Sequence, residues 1–260
     1  MSKFRSVSNL FGLDLETTFT VMAGIPGYLR DYVKFKRSLR ETGERSKVSR
    51  LYPALLDKRA SAGKASGHYF HQDIHVARLV LKHNPRRHID VASRVDGFVS
   101  HVAVFREIEV VDIRPLETSE KKIKFVQFDI MNPQGSQLIA DSVSCLHAIE
   151  HFGLGRYGDT VRADGYKLGI NSLASMVEVG GRLYISVPIG PQRVEFNAHR
   201  VFHANEIPKF LAGFFALESF AYVDDLGVLH EVSTFDAGQA ERSFGCNFGC
   251  GIYEFRRIKN

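Results

Sequence analysis

The chain has 260 residues, of which 44% are hydrophobic and 24% charged, enough for one full α/β domain with a modest extension. No run approaches the roughly 20 continuous apolar residues of a membrane-spanning helix, and the first residues lack the apolar segment of a secretion signal. The net charge is +5, but no nucleic-acid-binding motif accompanies the basic residues. The three cysteines fit a protein of the reducing cytoplasm, which is the expected location.

Residues 1–66 are predicted to form a basic helical extension. Apolar residues recur at helical spacing over 20–36, with an interruption at Pro26 and the glycines beside it. The basic side chains favour a solvated helix face, and phosphate, nucleic acid or an anionic membrane surface are the alternative partners. Small residues over 60–67 are typical of a flexible linker, so a second domain is predicted over 67–260.

Strands and helices are predicted to alternate regularly in this second domain. Its helices are expected over 73–83, 97–105 and 164–177. Such alternation is typical of a mostly parallel sheet with helices on both faces, and the last two strands are expected to form an antiparallel pair. We therefore expect an α/β fold with a Rossmann-like sheet. The predicted strands cover 88–91, 108–113, 123–130, 141–146, 182–187, 215–222 and 249–256.

Three acidic residues stand at the ends of consecutive predicted strands: Asp90, Asp112 and Asp129. The carboxyl ends of parallel strands meet at one edge of a sheet, where open α/β folds bind nucleotide-like ligands. Asp112 follows Asp90 by 22 residues, close to the spacing at which such folds bind ribose hydroxyls. Asp129 could accept a hydrogen bond from the exocyclic amine of a base. One such residue alone would be an ordinary cap or turn residue, so the prediction depends on all three together.

The turn after the first predicted strand, Ala92-Ser93-Arg94-Val95-Asp96-Gly97, has a single glycine at its end. A nicotinamide dinucleotide needs glycines at fixed offsets, because its pyrophosphate must approach the backbone closely. A ligand without phosphates tolerates a bulkier turn. The turn therefore favours S-adenosylmethionine over a nicotinamide cofactor.

These elements together resemble a class I S-adenosylmethionine-dependent methyltransferase over roughly residues 68–256. Within that range, residues 141–159 resemble more closely the family filed as domain of unknown function 268, whose members are grouped with methyltransferases by fold. This segment is long and distinctive. The elements that carry the wider resemblance are, in chain order, the Asp90 turn, Asp112, Phe128-Asp129-Ile130, residues 141–151 and residues 179–188.

The resemblance implies S-adenosylmethionine as the cofactor and a role for each matching position. The first turn is implied to form the wall beside the methionine part. Asp112 is implied to hold the ribose, and Asp129 with Ile130 to frame the adenine. The turn around Leu146 would line the sulfonium, and two residues before the first core helix would close over the cofactor. The implied cofactor-binding residues are Tyr69, Gln72, Asp90, Ala92, Ser93, Gly97, Asp112, Asp129, Ile130 and Leu146.

The segment His147-Ala148-Ile149-Glu150-His151 carries candidates for catalysis. Methyl transfer is an in-line displacement, and a hydroxyl acceptor must also lose its proton. A histidine whose pKa lies near neutrality suits that task. His151 is the first candidate base, followed by His147, Glu150 and His199. The alternative is that these side chains bond the backbone and hold the loop.

The same segment matches the H-x-x-E-H pattern of inverted zinc peptidases, which requires a helix through all five residues. Here it directly follows a predicted strand, and glycines at 153 and 155 come soon afterwards. No metal site is therefore predicted. The pairs Cys246/Cys250 and His71/His75 could also bind metal, but packing and surface roles are the preferred interpretations.

The sequence thus predicts a methyltransferase that O-methylates a glycan or a sugar-containing precursor. The choice of a glycan as the acceptor depends on the association of the resembling family with surface-polysaccharide synthesis. Arg193 and Arg200 are candidates to pair with an anionic acceptor, or else are solvated. The alternatives are a non-catalytic binding or scaffold protein on the same fold, and a zinc hydrolase that uses His147, Glu150 and His151. The sequence does not indicate the oligomeric state.

Overall fold

The computed structural model describes residues 14–132 and 138–259. Contacts within the chain divide it into two compact units, with the boundary between Ala65 and Ser66. The division into an extension over 1–66 and a domain over 67–260 stays a prediction.

The first unit is built on one long helix, α1 (Leu15–Thr42). The sequence pattern predicts an interruption near Pro26, but the helix continues through it, although proline cannot donate the backbone hydrogen bond of its turn. Leu55 packs against the helix at Gly24. Among the described residues, no helix combines the length and apolarity needed to cross a bilayer.

The described residues of the second unit form ten strands. They are β1 (His88–Val91), β2 (Ile108–Asp112), β3 (Ile123–Gln127), β4 (Ala140–Leu146), β5 (Val177–Ile189), β6 (Arg193–Glu195), β7 (His199–Val201), β8 (Phe215–Val223), β9 (Leu229–Val232) and β10 (Gly249–Arg257). Eight of them form one sheet in the order β3-β2-β1-β4-β5-β10-β8-β9. Strands β1 to β5 are parallel, whereas β10 pairs antiparallel with both β5 and β8, and β9 pairs antiparallel with β8. Strands β6 and β7 form a separate ribbon.

Helices cover both faces of this sheet. Side chains alternate along a strand, so Leu183 and Ile185 of β5 join one apolar cluster while Tyr184 joins the other. The helices are α2 (His68–His83), α3 (Ser100–Ala103), α4 (Gly165–Met176), α5 (Glu206–Leu211) and α6 (Ala237–Glu241). Those on the Leu183 side include α4 and α5, and those on the Tyr184 side include α2 and α3.

The predicted fold class is confirmed: a mostly parallel sheet lies between helices, and β8 and β10 form the antiparallel C-terminal pair. Two details differ from the sequence-based expectation. Strand β3 ends at Gln127, so Asp129 lies in the following loop. Strand β5 begins at Val177, because Gly180 and Gly181 are accommodated within the strand rather than before it.

The face of β1 and β4 toward α2 is polar, although it is fully buried. His88 Nδ1 lies 2.7 Å from the hydroxyl of Ser142, and burial lowers the pKa of His88 to about 3. The hydroxyl of Ser144 donates to the carboxylate of Asp90 at 2.5 Å. Buried polar groups are tolerated where each finds a partner. This row of paired side chains ends at the turn that follows β1.

The loop after β4 depends on glycines in the left-handed region. Gly153, Gly155 and Gly158 all have positive φ. The carboxylate of Asp159 accepts the backbone N–H groups of Gly153 and Gly155, at 2.7 and 3.3 Å. The loop is thus held by its own residues.

Replacing Gly153 with alanine should destabilise the fold far more than replacing Gly158. Both have positive φ, +78° and +83°, a conformation that costs alanine about 1 kcal/mol. A Cβ at Gly153 would also lie 2.1 Å from the carbonyl oxygen of Arg162, whereas nothing lies within 4 Å of one at Gly158. We expect losses in unfolding free energy of about 1 kcal/mol for Gly158→Ala and about 3 kcal/mol or more for Gly153→Ala. Urea unfolding measures both, and equal losses would contradict this packing.

Candidate functional site

A cavity of about 510 Å³ opens at the carboxyl ends of β1, β2 and β4. Strands β1 and β4 are neighbours at the point where the strand order reverses, which is where open α/β sheets bind ligands. The volume is in the range of small-molecule sites. The cavity is lined by residues 68–69, 91–96, 111–114, 128–131, 147–148, 150–152, 156–157, 159, 188, 199 and 248.

The turn after β1 is organised by the buried carboxylate of Asp90. The backbone N–H of Ser93 donates to this carboxylate at 3.1 Å and the Ser93 hydroxyl at 2.6 Å. The Ser93 hydroxyl oxygen in turn accepts the backbone N–H of Leu146, at the end of β4. Ala92 has a φ of +58°, so the turn keeps a glycine-like conformation without a glycine there. Asp90 therefore shapes the cavity wall without lining it.

Asp112 lines the cavity, but Arg114 engages both of its carboxylate oxygens. The backbone N–H and Nε of Arg114 donate to Oδ1 at 2.8 and 3.0 Å, and Nη2 donates to Oδ2 at 2.7 Å. The guanidinium carbon of Arg114 also lies 4.3 Å from the ring centre of Tyr157. A carboxylate accepts about four hydrogen bonds. Arg114 already uses three of these acceptor positions. A ligand diol that needs two of them can therefore bind only if Arg114 releases one hydrogen bond.

The residues after β3 form the adjacent wall. Asp129 Oδ1 accepts the backbone N–H of Met131 at 2.9 Å. Ile130 is buried, and Ile113 and Phe128 are half-buried at the same wall. These three apolar side chains, with the carboxylates of Asp112 at the end of β2 and Asp129 in the loop after β3, give this part of the cavity an apolar lining with acceptors.

The loop after β4 begins with a left-handed residue, His147, at a φ of +50°. The backbone N–H of His147 donates to the carbonyl and hydroxyl oxygens of Ser186 on β5. His147 Nδ1 lies 2.7 Å from Glu150 Oε1. Only Ile149–His151 are helical, as a single 3₁₀ turn. The continuous helix that a zinc peptidase would need is therefore absent.

His151 is oriented by a backbone carbonyl. Its Nδ1 lies 2.6 Å from the oxygen of Ala198, and because a carbonyl only accepts, the proton is on Nδ1. Nε2 then carries the lone pair and lies 3.8 Å from Glu150 Oε1. Burial lowers the pKa of His151. A neutral ring with a free Nε2 can accept a proton from a ligand.

His147 and its neighbours form a buried group of rings. The rings of His68 and His147 stack with centres 5.3 Å apart, and Tyr69 lies 5.1 Å from His147. Burial opposes the charge on His147, but Cys250 and Glu150 outweigh it and raise the pKa of His147 well above its usual value. Burial, together with the charge of His147, lowers the pKa of His68 to about 4. The pKa of His147 is thus shifted in the opposite direction from those of His68 and His151.

His199 reaches the cavity from the ribbon strand β7. Its ring centre lies 5.0 Å from that of Phe248, and its Nε2 lies 3.4 Å from a carboxylate oxygen of Glu195. The structure therefore brings all four predicted catalytic candidates to one cavity. They are His147, Glu150, His151 and His199.

Four predicted cofactor-binding residues do not line the cavity. Gln72 is buried and accepts the hydroxyl of Ser186, the residue that holds the His147 backbone. Gly97 lies where a Cβ would come within 2.3 Å of Asp73 Oδ2. The other two are Asp90 and Leu146, which act through the turn described above. The six that do line it are Tyr69, Ala92, Ser93, Asp112, Asp129 and Ile130.

Neither arginine proposed for an anionic acceptor lines the cavity. Arg200 is buried and donates to the carbonyl oxygens of Phe152 and Ala163. Arg193 pairs with Glu195 at 3.0 Å. The cavity instead contains arginines that sequence reasoning missed as ligand-binding candidates. They are Arg94, Arg114 and Arg156.

In residues 14–132 and 138–259, no three His, Cys, Asp or Glu side chains come together as a group that could hold a metal ion. Cys246 and Cys250 are buried free thiols. His75 faces Glu231 at 3.4 Å rather than a metal-binding partner at His71.

Comparison with solved structures supports the assignment of the fold. The N-methyltransferase NodS from Bradyrhizobium japonicum WM9, in complex with S-adenosylhomocysteine, is 12% identical, with a TM-score of 0.50 over 81% of this chain and 94% of that chain. The cyclase SpnF is 12% identical, with a TM-score of 0.51 over 76% and 86% of the two chains. No curated protein sequence gives a significant match.

The sheet order, the antiparallel final strands and the position of the cavity define a class I S-adenosylmethionine-dependent methyltransferase fold. A family profile described as "Caenorhabditis protein of unknown function, DUF268" matches residues 106–236, just over half of the chain. The protein belongs to this DUF268 family, in agreement with the resemblance of residues 141–159.

The pH dependence of stability should report the buried state of Asp90. Burial raises its pKa from 3.8 to about 6, against the opposing hydrogen bonds of Ser144 and Ser93. Because the folded chain holds this proton more tightly than the unfolded chain, stability falls as pH rises through this interval. Compared with Asp90→Asn, the natural chain should lose on the order of 2–3 kcal/mol of unfolding free energy between pH 4 and pH 6.

Urea unfolding at a series of pH values measures this difference. Asp96→Asn, at an exposed carboxylate of the same turn, is the control and should retain the fall. Parallel curves for the natural chain and Asp90→Asn would contradict the assigned burial.

At pH 7, His151 should be a neutral ring with its proton on Nδ1, because the Ala198 carbonyl accepts that proton and burial disfavours the charge. Long-range ¹⁵N–¹H NMR spectra of the labelled protein distinguish the two tautomers and the charged form. His151→Gln assigns the signal. A charged ring, or a proton on Nε2, would rule out His151 as a base poised in this form.

Proposed function

We propose that the protein is an S-adenosylmethionine-dependent methyltransferase that methylates a hydroxyl group, with a glycan or sugar-containing precursor as the acceptor. One observation carries the proposal: a single cavity contains both the carboxylates that follow β2 and β3, Asp112 and Asp129, and the oriented neutral histidine, His151. The solved neighbour NodS is an N-methyltransferase in complex with S-adenosylhomocysteine, which supports the choice of cofactor.

The cavity residues fit this cofactor by their chemistry. Ile113, Phe128 and Ile130 offer an apolar slot for a flat base, with Asp129 beside it to accept from the exocyclic amine. The carboxylate oxygens of Asp112 can accept hydrogen bonds from ribose hydroxyls once Arg114 releases one of its own hydrogen bonds to them. The turn of β1 is closed by hydrogen bonds rather than by glycines, and it has no pyrophosphate to accommodate.

The cofactor, when bound, supplies an activated methyl group on a sulfonium, so the protein must mainly align the acceptor and accept its proton. His151 Nε2 would take the proton from the acceptor hydroxyl. Ala198 fixes the ring by accepting from Nδ1 at 2.6 Å. Glu150 lies 3.8 Å from Nε2 and would stabilise the imidazolium that forms. Phe248 and His68, with ring centres 5.5 Å apart, would limit the access of water.

A second function is favoured by one specific observation. Arg114 already satisfies both carboxylate oxygens of Asp112, as it would in a protein that no longer binds the cofactor. A non-catalytic binding or scaffold protein on this fold is therefore the alternative.

Calorimetric titration with S-adenosylhomocysteine tests the cofactor site. We expect saturable binding that weakens about tenfold or more in Asp112→Asn, because a neutral amide replaces a charged acceptor of ribose hydroxyls. Glu109→Gln is the matched control: Glu109 lies on the same strand but pairs with Arg87 outside the cavity, so its affinity should match that of the natural chain.

The opposite results are equally informative. Absence of binding by a demonstrably folded protein would favour the scaffold function. Equal weakening in Asp112→Asn and Glu109→Gln would indicate damage to β2 rather than loss of a ribose contact.

A further inference from the structure

The positive charges at the cavity differ in how they are neutralised. Arg94 Nη2 lies 2.8 Å from a carboxylate oxygen of Asp96, and Arg114 is paired with Asp112 in the same way. Arg156 also lines the cavity, but in the described part of the chain it forms no ion pair with a carboxylate. It is thus a cation with no acidic partner of its own at the mouth of the cavity.

Two acidic residues that line the same cavity as Arg156, Glu150 and Asp159, are committed to other contacts. Glu150 Oε1 lies 2.7 Å from His147 Nδ1. The carboxylate of Asp159 accepts three backbone N–H groups of its own loop. Neither is available to neutralise Arg156 without breaking these contacts.

Arg156 is held beside the candidate base. Its Nη1 donates to the carbonyl oxygen of Ala198 at 2.9 Å, the same oxygen that accepts from His151. Nη1 lies 3.3 Å from His151 Nδ1, and the guanidinium carbon lies 5.2 Å from the ring centre of Tyr157. Arginine has five N–H donors, and the described hydrogen bond to Ala198 uses only Nη1. The remaining edge of the guanidinium can therefore bind a ligand.

We infer that Arg156 forms an oxyanion-binding subsite for the acceptor, so that the acceptor carries a carboxylate or phosphate group near the hydroxyl that is methylated. This inference rests on the proposed function. A planar guanidinium binds both groups in a bidentate manner. The geometry assigns this role to Arg156 in place of Arg193 and Arg200, which are occupied by other contacts.

The subsite would couple recognition of the acceptor to proton transfer. The charge of Arg156 lies close to His151 and disfavours a second positive charge there. An anion bound to Arg156 would cancel that effect, so His151 would accept a proton more readily when an acidic acceptor is present. Neutral analogues would lack both the contact and this assistance.

NMR titration of the histidine rings tests the subsite. Inorganic phosphate, glucuronate and glucose are added separately to the full chain, and the His151 signals are followed. We expect saturable shifts with phosphate or glucuronate but not with glucose, and affinities about tenfold or more weaker in Arg156→Gln. Arg256→Gln, whose arginine pairs with Glu218 outside the cavity, is the matched control and should behave as the natural chain.

Several results would overturn the inference. These are the absence of any saturable shift with either anion, equal shifts in Arg156→Gln and the natural chain, and equal binding of glucose and glucuronate. A response to phosphate alone, or to glucuronate alone, supports the subsite and identifies its oxyanion.

Calorimetry with S-adenosylhomocysteine on Arg156→Gln distinguishes this inference from the proposed function. Affinity close to that of the natural chain supports a role on the acceptor side. A loss of about tenfold would assign Arg156 to the carboxylate of the cofactor and overturn the inference. The anion titration needs no cofactor, so it can succeed or fail independently of cofactor binding.

Discussion

The buried carboxylate of Asp90 joins the neighbouring strands β1 and β4 at the point where the cavity opens. It accepts hydrogen bonds from Ser93 in its own turn and from Ser144 on β4. Ser93 then accepts the N–H of Leu146, the last residue of β4. A buried charge is costly unless it is bonded in this way. The cavity wall on β1 and the start of the His147 loop are therefore positioned by one network, and the remaining site residues depend on it.

The two parts of the cavity are held by different kinds of interaction. The part of the cavity around Asp112 lies at the carboxyl ends of parallel strands. These ends meet at one edge of the sheet because the strands run in the same direction. The histidine part depends on backbone contacts between distant segments: Ser186 holds His147, and Ala198 orients both His151 and Arg156. Recognition of the acceptor is thus built on loops, which can vary while the sheet stays the same.

The sequence predicts the sheet well because each buried parallel strand is a short apolar run with a local signal. It also identifies the acids at strand ends. The sequence alone does not show that Asp90 points into the polar face between β1 and β4 while Asp112 faces the cavity. These orientations depend on how each strand pairs with strands far along the chain. The roles of Gln72 and Arg156 were missed for the same reason: their partners, Ser186 and Ala198, are distant in sequence.

The order of the sheet has a consequence for synthesis of the chain. Strand β10 lies between β5 and β8, although both are made before it. Until residues 249–257 leave the ribosome, β5 has an open edge and the β8–β9 hairpin has no sheet to join. Open edges invite pairing with other chains. A premature stop before β10 would therefore produce an aggregation-prone fragment with two unpaired edges, rather than a smaller version of the same sheet.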